Sequence, residues 1–300
     1  MDISSYPVID WQFLLGTLRQ GDTRALARLI TLVENETPGY TEALQTLSIN
    51  PSVNIIGITG PPGAGKSSLV DLLIGRFIDK GKKVGVLCVD PASPFHSGAL
   101  LGDRIRMSQW YNHPEVFIRS LTTRGSLGGL NPKMIEISDL LKAAHFDCIL
   151  VETVGVGQSE VEVAGLADTT IVVFVPEAGD EIQAMKAGLM EIADIFVVNK
   201  CDRPGADDFA SNLRQMVGQV PVVKTVVTEK KGISELMEKI LQREQAPDAL
   251  SRKADLLALK AYQLIAQKRM KDIDKIGLKE KIQEKIGQPD FNLYRLVNAF

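Results

Sequence analysis

The chain has 300 residues, 45% of them hydrophobic and 24% charged, with a formal net charge of −3. This is an ordinary globular composition, long enough for one large core with extensions or for two domains. It argues against a broad basic nucleic-acid surface, and no apolar run approaches the length of a membrane span. Met1-Asp2-Ile3-Ser4-Ser5 shows no basic region followed by an apolar stretch, and arginines are sparse there. Neither a secretory signal nor a mitochondrial leader is expected. Cys88, Cys148 and Cys201 are scattered, and two sit in strand-like runs, so they read as small apolar residues of a reducing compartment. The expected location is cytoplasmic.

Residues 1–49 read as a helical extension. Trp11, Leu14, Leu15 and Leu18 fit one helix ending near Gly21. Asp22 can cap a second that carries Ala25, Leu26, Leu29, Ile30 and Val33, and a third runs from Tyr40 to Leu47 after a Thr37-Pro38-Gly39 turn. Residues 50–246 alternate strand-like and helical segments. The strand-like runs are Asn54 to Thr59, Lys83 to Asp90, Val116 to Ile118, Cys148 to Glu152, Thr170 to Val175, Ile195 to Asn199 and Pro221 to Val223. Nearly continuous apolarity fits an α/β fold with a mostly parallel central sheet covered by helices on both faces. Residues 247–300 read as a charged helical extension whose apolar residues include Leu256, Leu257, Leu259, Tyr262, Leu264 and Ile265. Its basic run Lys268-Arg269-Met270-Lys271 reads as a solvated helix face. An apolar stripe does not say which chain it meets, so an arm packed on a second subunit stays open.

Between the first strand and the next helix stands Gly60-Pro61-Pro62-Gly63-Ala64-Gly65-Lys66-Ser67, followed by Ser68. Glycines let backbone N–H groups converge, and the positive end of the following helix adds to them, so the loop suits a nucleotide's phosphates. Lys66 is expected to reach the β- and γ-phosphates, and Ser67 to place its hydroxyl on Mg²⁺.

Three strand ends complete this reading. Glu152, with Gly155 three residues later, is expected to support Mg²⁺, and the glycine N–H to sense the γ-phosphate. In Asn199-Lys200-Cys201-Asp202 the Asp202 carboxylate can accept from both the ring N–H and the amine of guanine; adenine has no matching donors. The loop from Asp90 to Met107 brings Asp90 and Asp103 as candidates for Mg²⁺ or water positioning. In the same loop Arg104 or Arg106 could neutralise charge during phosphoryl transfer. The chain reads as a GTPase.

Asp90-Pro91-Ala92-Ser93, Gly102-Asp103-Arg104-Ile105-Arg106-Met107 and Val151 to Glu160 resemble the MeaB/ArgK-type GTPases of the SIMIBI class of P-loop NTPases. So do Thr31-Leu32-Val33-Glu34 and Gly179-Asp180-Glu181-Ile182-Gln183, and the likeness runs from about residue 10 to 245. The resemblance implies a GTP-dependent chaperone of an adenosylcobalamin-dependent acyl-CoA mutase, such as methylmalonyl-CoA mutase. Such a protein gates cofactor loading, protects the mutase and is activated by it as a GTPase. It also implies bound GTP or GDP with Mg²⁺, and a homodimer joined largely by the C-terminal extension. Matched residue by residue, it implies phosphate and Mg²⁺ roles for Lys66 and Ser67 and site roles for Asp90, Asp103 and Glu152. The loops from Asp90 to Met107 and from Glu152 to about Leu166 resemble its first two switches. An additional switch corresponds to Pro176 to Gly188, with Lys186 at the position of a lysine linked to mutase-stimulated hydrolysis.

Two departures stand out. Val226-Val227 occupies the place of the family's usual Ser-Ala, where guanine's carbonyl is met by backbone N–H, and the tail beyond Pro247 matches poorly. Small regulatory GTPases carry a water-orienting Gln directly after the switch glycine. Val156 follows Gly155 here, and the nearest Gln is Gln158, which implies slow unaided turnover. A metal-insertion GTPase of the same class and a P-loop kinase are the alternative readings. The first is disfavoured because His96, His113 and His145 do not cluster with the cysteines at ligand spacing.

Overall fold

The structure is a computed structural model. It describes residues 9–90, 107–123, 130–153, 159–178, 189–243, 249–270, 274–286 and 291–297. Among the described residues, seven strands form one sheet: β1 (Asn54–Thr59), β2 (Val84–Asp90), β3 (Val116–Thr122), β4 (Cys148–Glu152), β5 (Thr169–Phe174), β6 (Ile195–Val198) and β7 (Val222–Lys224). Their order is β3-β2-β4-β1-β5-β6-β7, and every pairing is parallel. All carboxyl ends therefore share one edge, with β1 at the centre between β4 and β5. That is where an open α/β sheet places its ligands.

Among the described residues, α1 (Trp11–Leu18), α2 (Thr23–Glu34) and α3 (Tyr40–Gln45) precede the sheet. The Asp22 carboxylate accepts the N–H groups of Arg24 and Ala25 at 2.7 and 2.8 Å. A cap of this kind contributes about 1 kcal/mol. Helix α4 (Lys66–Ile78) follows β1 and packs with α9 (Ile233–Arg243) over one buried cluster that includes Leu69, Leu73, Val197, Leu236 and Ile240. A second cluster joins Phe174 and Phe196, stacked 6.1 Å apart, to Ala210 and Leu213 of α8 (Ala206–Val217). Helices α5 (Met134–Ala143), α6 (Ser159–Leu166) and α7 (Leu189–Ile192) lie between the strands in sequence. Met1–Lys253 and Ala254–Phe300 form two compact units. The tail carries α10 (Ala249–Arg269), α11 (Lys275–Lys285) and α12 (Leu293–Val297). No helix among the described residues is long and apolar enough to cross a membrane.

Strand β3 runs four residues beyond its apolar stretch, through Arg119, Ser120 and Thr122. Its arginine finds partners in the N-terminal helix α2. Arg119 Nη2 donates to Thr31 Oγ1 at 3.1 Å and pairs with Glu34 Oε2 at 3.0 Å. Asn131 Nδ2 donates to Glu34 Oε1 at 3.3 Å and to the Thr122 carbonyl at 2.9 Å. Glu34, only 8% exposed, is thus a buried charge between α2, β3 and the chain entering α5. Glu34→Leu should strand the arginine and cost about 3 kcal/mol in urea denaturation. The double change with Arg119→Met should cost much less, since removing both charges avoids a buried orphan. Equal losses in the two proteins would contradict a desolvated ion pair.

Candidate functional site

The loop from Gly60 to Gly65 links the central strand to α4. Gly60, Gly63 and Gly65 have φ of 134°, 75° and 93°, in the left-handed region that favours glycine. Close approach adds a second constraint: a Cβ on Gly60 would lie 2.1 Å from the Val173 carbonyl oxygen, and one on Gly65 would lie 2.4 Å from Asn199 Nδ2. Gly65 is the N-cap of α4 and supplies no side-chain cap, so the helix start lies at the loop. Such a start offers N–H donors and a positive dipole end to an anion.

Lys66 is 6% exposed, and its Nζ donates to the carbonyls of Gly60 at 2.9 Å and Pro61 at 3.0 Å, which fold the ammonium over the loop. The Ser67 hydroxyl donates to Glu152 Oε1 at 2.6 Å, with both residues buried. Glu152 ends β4, in register with Ile58 of β1 and Cys88 of β2. Beside it, Thr153 Oγ1 donates to Thr59 Oγ1 at 2.8 Å and fastens the two strand ends together. A hydroxyl and a carboxylate in contact are hard oxygen donors of the type that Mg²⁺ prefers.

Asn199, 3% exposed, follows β6 and makes three links. Its Nδ2 donates to the Ala64 carbonyl at 2.8 Å, while its Oδ1 accepts Thr225 Oγ1 at 3.1 Å and the Val227 N–H at 3.3 Å. Lys200, at φ 57°, donates from Nζ to the Gly63 carbonyl at 2.8 Å. Asp202 lies exposed two residues on. The Val226 N–H donates to the Lys231 carbonyl at 3.2 Å. Burial holds the Cys201 thiol above its ordinary pKa, so it stays neutral beside this turn.

The sheet therefore brings Lys66, Ser67, Glu152 and Asn199 to one edge. Pro61, Pro62, Ala64 and Ser68 lie in or beside the glycine loop. Asp90 ends β2 in register with Thr122. Its side chain and the whole of Asp103, Arg104, Arg106, Gly155 and Lys186 fall outside the described residues. Thr225, 1% exposed, was not singled out by its sequence; nothing in one threonine after a short strand announces a partner at Asn199.

A sequence model of the family described as methylmalonyl Co-A mutase-associated GTPase MeaB matches residues 26–275. The chain belongs to the MeaB family. A Pyrococcus abyssi protein bearing a GTPase name is 50% identical over 244 residues, covering 77% of this chain and 75% of that one. A fused isobutyryl-CoA mutase of Cupriavidus metallidurans is 42% identical over 199 residues, covering 65% of this chain but 18% of its own length. The solved structure of a LAO/AO transport system kinase superposes with a TM-score of 0.68 at 27% identity, covering 93% of this chain and 89% of that one.

In this MeaB-family chain a cavity of about 430 Å³ opens among Glu191, Asp194, Gln219, Pro221 and Arg243. Asp194 and Pro221 directly precede β6 and β7, so this cavity sits at the amino ends of the strands, opposite Lys66 and Asn199. Asp194 Oδ1 pairs with Arg243 Nη2 at 2.7 Å, and its Oδ2 accepts the Thr170 N–H at 2.8 Å. Those bonds account for the carboxylate structurally.

Burial raises the Glu162 carboxyl above its ordinary pKa, against the lowering effect of the Leu130 N–H. A carboxyl raised on folding stabilises the fold below its unfolded pKa and loses that contribution as pH rises through the folded value. Glu162→Gln should therefore raise Tm relative to wild type at pH 8, and the gap should close toward pH 4 in thermal melts. A gap that widened on acidification would reverse the assignment.

Proposed function

We propose that the protein binds GTP with Mg²⁺ between the Gly60–Ser67 loop and the Asn199–Asp202 turn. We further propose that it hydrolyses GTP slowly, and that the bound nucleotide gates the loading and protection of an adenosylcobalamin-dependent acyl-CoA mutase in the cytoplasm. The observation that carries this reading is Asn199, whose bonds to Ala64, Thr225 and Val227 join the phosphate-type loop to the base-reading turn. The loop's N–H groups and the Lys66 ammonium would cradle the β- and γ-phosphates. The exposed Asp202 carboxylate would accept the two donors of guanine, and the backbone at Val226–Val227 would border its carbonyl.

Ser67 and Glu152, with Asp90 and Asp103, fit a Mg²⁺ site by their oxygen chemistry. Bound there, the ion would neutralise charge on the phosphate oxygens. Arg106 would face charge developing on the transferred group, the Gly155 N–H would report the γ-phosphate, and Lys186 would answer the partner. With Val156 in place of a water-orienting Gln, unaided turnover would be slow. The family's description as mutase-associated supports the mutase, as does a related segment built into a fused isobutyryl-CoA mutase.

Purified protein with Mg²⁺ should release phosphate from GTP at less than about 0.1 s⁻¹. Adding an adenosylcobalamin-dependent acyl-CoA mutase from the same cell should raise that rate. A rate indifferent to the mutase would contradict the switch, and transfer of phosphate to an acceptor other than water would make the chain a kinase. Asp202→Asn should shift preference from GTP toward xanthosine triphosphate by about tenfold or more in a competition assay; unchanged selectivity would remove Asp202 as the base reader.

The tail is proposed as a homodimer arm. Leu259, Tyr262 and Ile265 of α10 are 58%, 74% and 53% exposed, an apolar face that water does not favour. Sedimentation should show a dimer for the native chain and a monomer for Leu259→Glu with Tyr262→Glu. A native monomer would refute the arm.

A further inference from the structure

Thr59 ends β1 immediately before Gly60, and Thr153 follows Glu152 at the end of β4. Both are fully buried, and neither carries a charge. Their hydroxyls close a ring around the site. Three pairs of sequence neighbours, Thr59-Gly60, Lys66-Ser67 and Glu152-Thr153, are joined by three hydrogen bonds. The Lys66 ammonium donates to the Gly60 carbonyl at 2.9 Å, the Ser67 hydroxyl to Glu152 Oε1 at 2.6 Å, and the Thr153 hydroxyl to Thr59 Oγ1 at 2.8 Å. The Thr153 N–H also donates to the Ile58 carbonyl at 3.0 Å, which extends the ladder that pairs Ile58 with Glu152.

Two of those bonds use groups that the proposed ligands would claim. Phosphates would draw the Lys66 ammonium, and Mg²⁺ would draw the Ser67 and Glu152 oxygens. The third bond uses no such group, and burial of both threonines keeps water from replacing it. It is the link of the ring that can persist when nucleotide and ion are bound. Its length also sets a spacing. Two methyl groups in place of the oxygens would stand about 4 Å apart, roughly 1 Å further than the hydroxyls do. The ends of β1 and β4 would separate accordingly, and Glu152 would draw back from Ser67.

We infer that Thr59 and Thr153 are positioning residues for the Mg²⁺ site. Their bond holds the end of β4 against the start of the glycine loop, so that the oxygens of Ser67 and Glu152 stay close enough to share one cation. The role rests on the GTP and Mg²⁺ reading above, and it gives neither threonine a contact with nucleotide or ion. Groups that orient metal ligands commonly weigh about 10- to 100-fold in metal affinity or activity.

The test compares wild type, Thr153→Val, the double variant Thr59→Val with Thr153→Val, and Thr153→Ser, each as the full chain. GDP binding is measured by calorimetry at a series of Mg²⁺ concentrations and in EDTA, with Tm and Mg²⁺-dependent GTP hydrolysis alongside. Both valine variants should need about tenfold more Mg²⁺ for half-maximal effect on binding and on hydrolysis, while GDP affinity in EDTA moves by less than about threefold. Thr153→Val leaves the Thr59 hydroxyl buried alone and should lower Tm. The double variant removes both hydroxyls, so its Tm should return toward wild type while its Mg²⁺ requirement stays high; it also covers the case in which the single variant does not fold. Thr153→Ser keeps the hydroxyl and should restore the Mg²⁺ requirement to within about twofold. A requirement that recovers with Tm in the double variant, an equal loss of GDP affinity in Mg²⁺ and in EDTA, or a serine variant no better than valine would make the pair merely structural and overturn the proposal. Mg²⁺-dependent GDP binding by wild type with unaffected variants defeats the threonine role alone. Wild type that binds GDP equally in Mg²⁺ and EDTA defeats the Mg²⁺ site, and wild type that binds no GDP defeats the GTPase reading, each taking this inference with it.

Discussion

The carboxamide of Asn199 is the tie on which the site depends. Through Nδ2 it holds the carbonyl of Ala64 in the glycine loop, and through Oδ1 it receives Thr225 and Val227 after β7. A loop leaving β1 and a turn leaving β6, separated by β5, thereby become one surface. Glycine at position 65 is required by the same contact, because a side chain there would meet the Asn199 amide. Lys200 adds a second strut to Gly63. The arrangement is pre-organised: the polar groups that would meet phosphates and base are already held by bonds to neighbouring strands.

Around that tie, buried polar groups do two kinds of work. At the carboxyl edge, Ser67 with Glu152 and Thr59 with Thr153 place oxygen atoms close together at strand ends, where a cation and phosphates would be accommodated. Away from the edge, the Glu34–Arg119 pair with Asn131 and the Asp194–Arg243 pair satisfy charge inside the fold. The distinction matters because a perturbed or buried ionisable group is often taken for a site. Here the cavity beside Asp194 lies at the amino ends of the strands, opposite the edge that carries Lys66, Ser67, Glu152 and Asn199.

What the sequence disclosed and what it hid follow from the range of each interaction. The glycine loop was legible because its requirements are local: left-handed backbone at Gly60, Gly63 and Gly65, then Lys66 and Ser67 opening a helix. The strands were legible because a parallel sheet buried on both faces leaves nearly unbroken apolar runs. The end of β3 was not, since Arg119, Ser120 and Thr122 look like loop residues until Thr31 and Glu34, far along the chain, bind Arg119 and Asn131 binds the Thr122 carbonyl. Thr225 escaped notice for the same reason. Its partner, Asn199, is distant in sequence, and no periodicity records a pairing of side chains. The roles assigned to Asp103, Arg106, Gly155 and Lys186 rest on motif and family resemblance.

The central claim is that one pre-organised edge reads guanine and triphosphate together. Calorimetric titration of the full chain with GTP and with ATP, Mg²⁺ present, tests it most directly. The account expects saturable heat with GTP, far weaker binding of ATP, and loss of GTP binding when Asn199 is replaced by Ala. Equal affinities for the two nucleotides, or GTP binding untouched by the Asn199→Ala change, would contradict it.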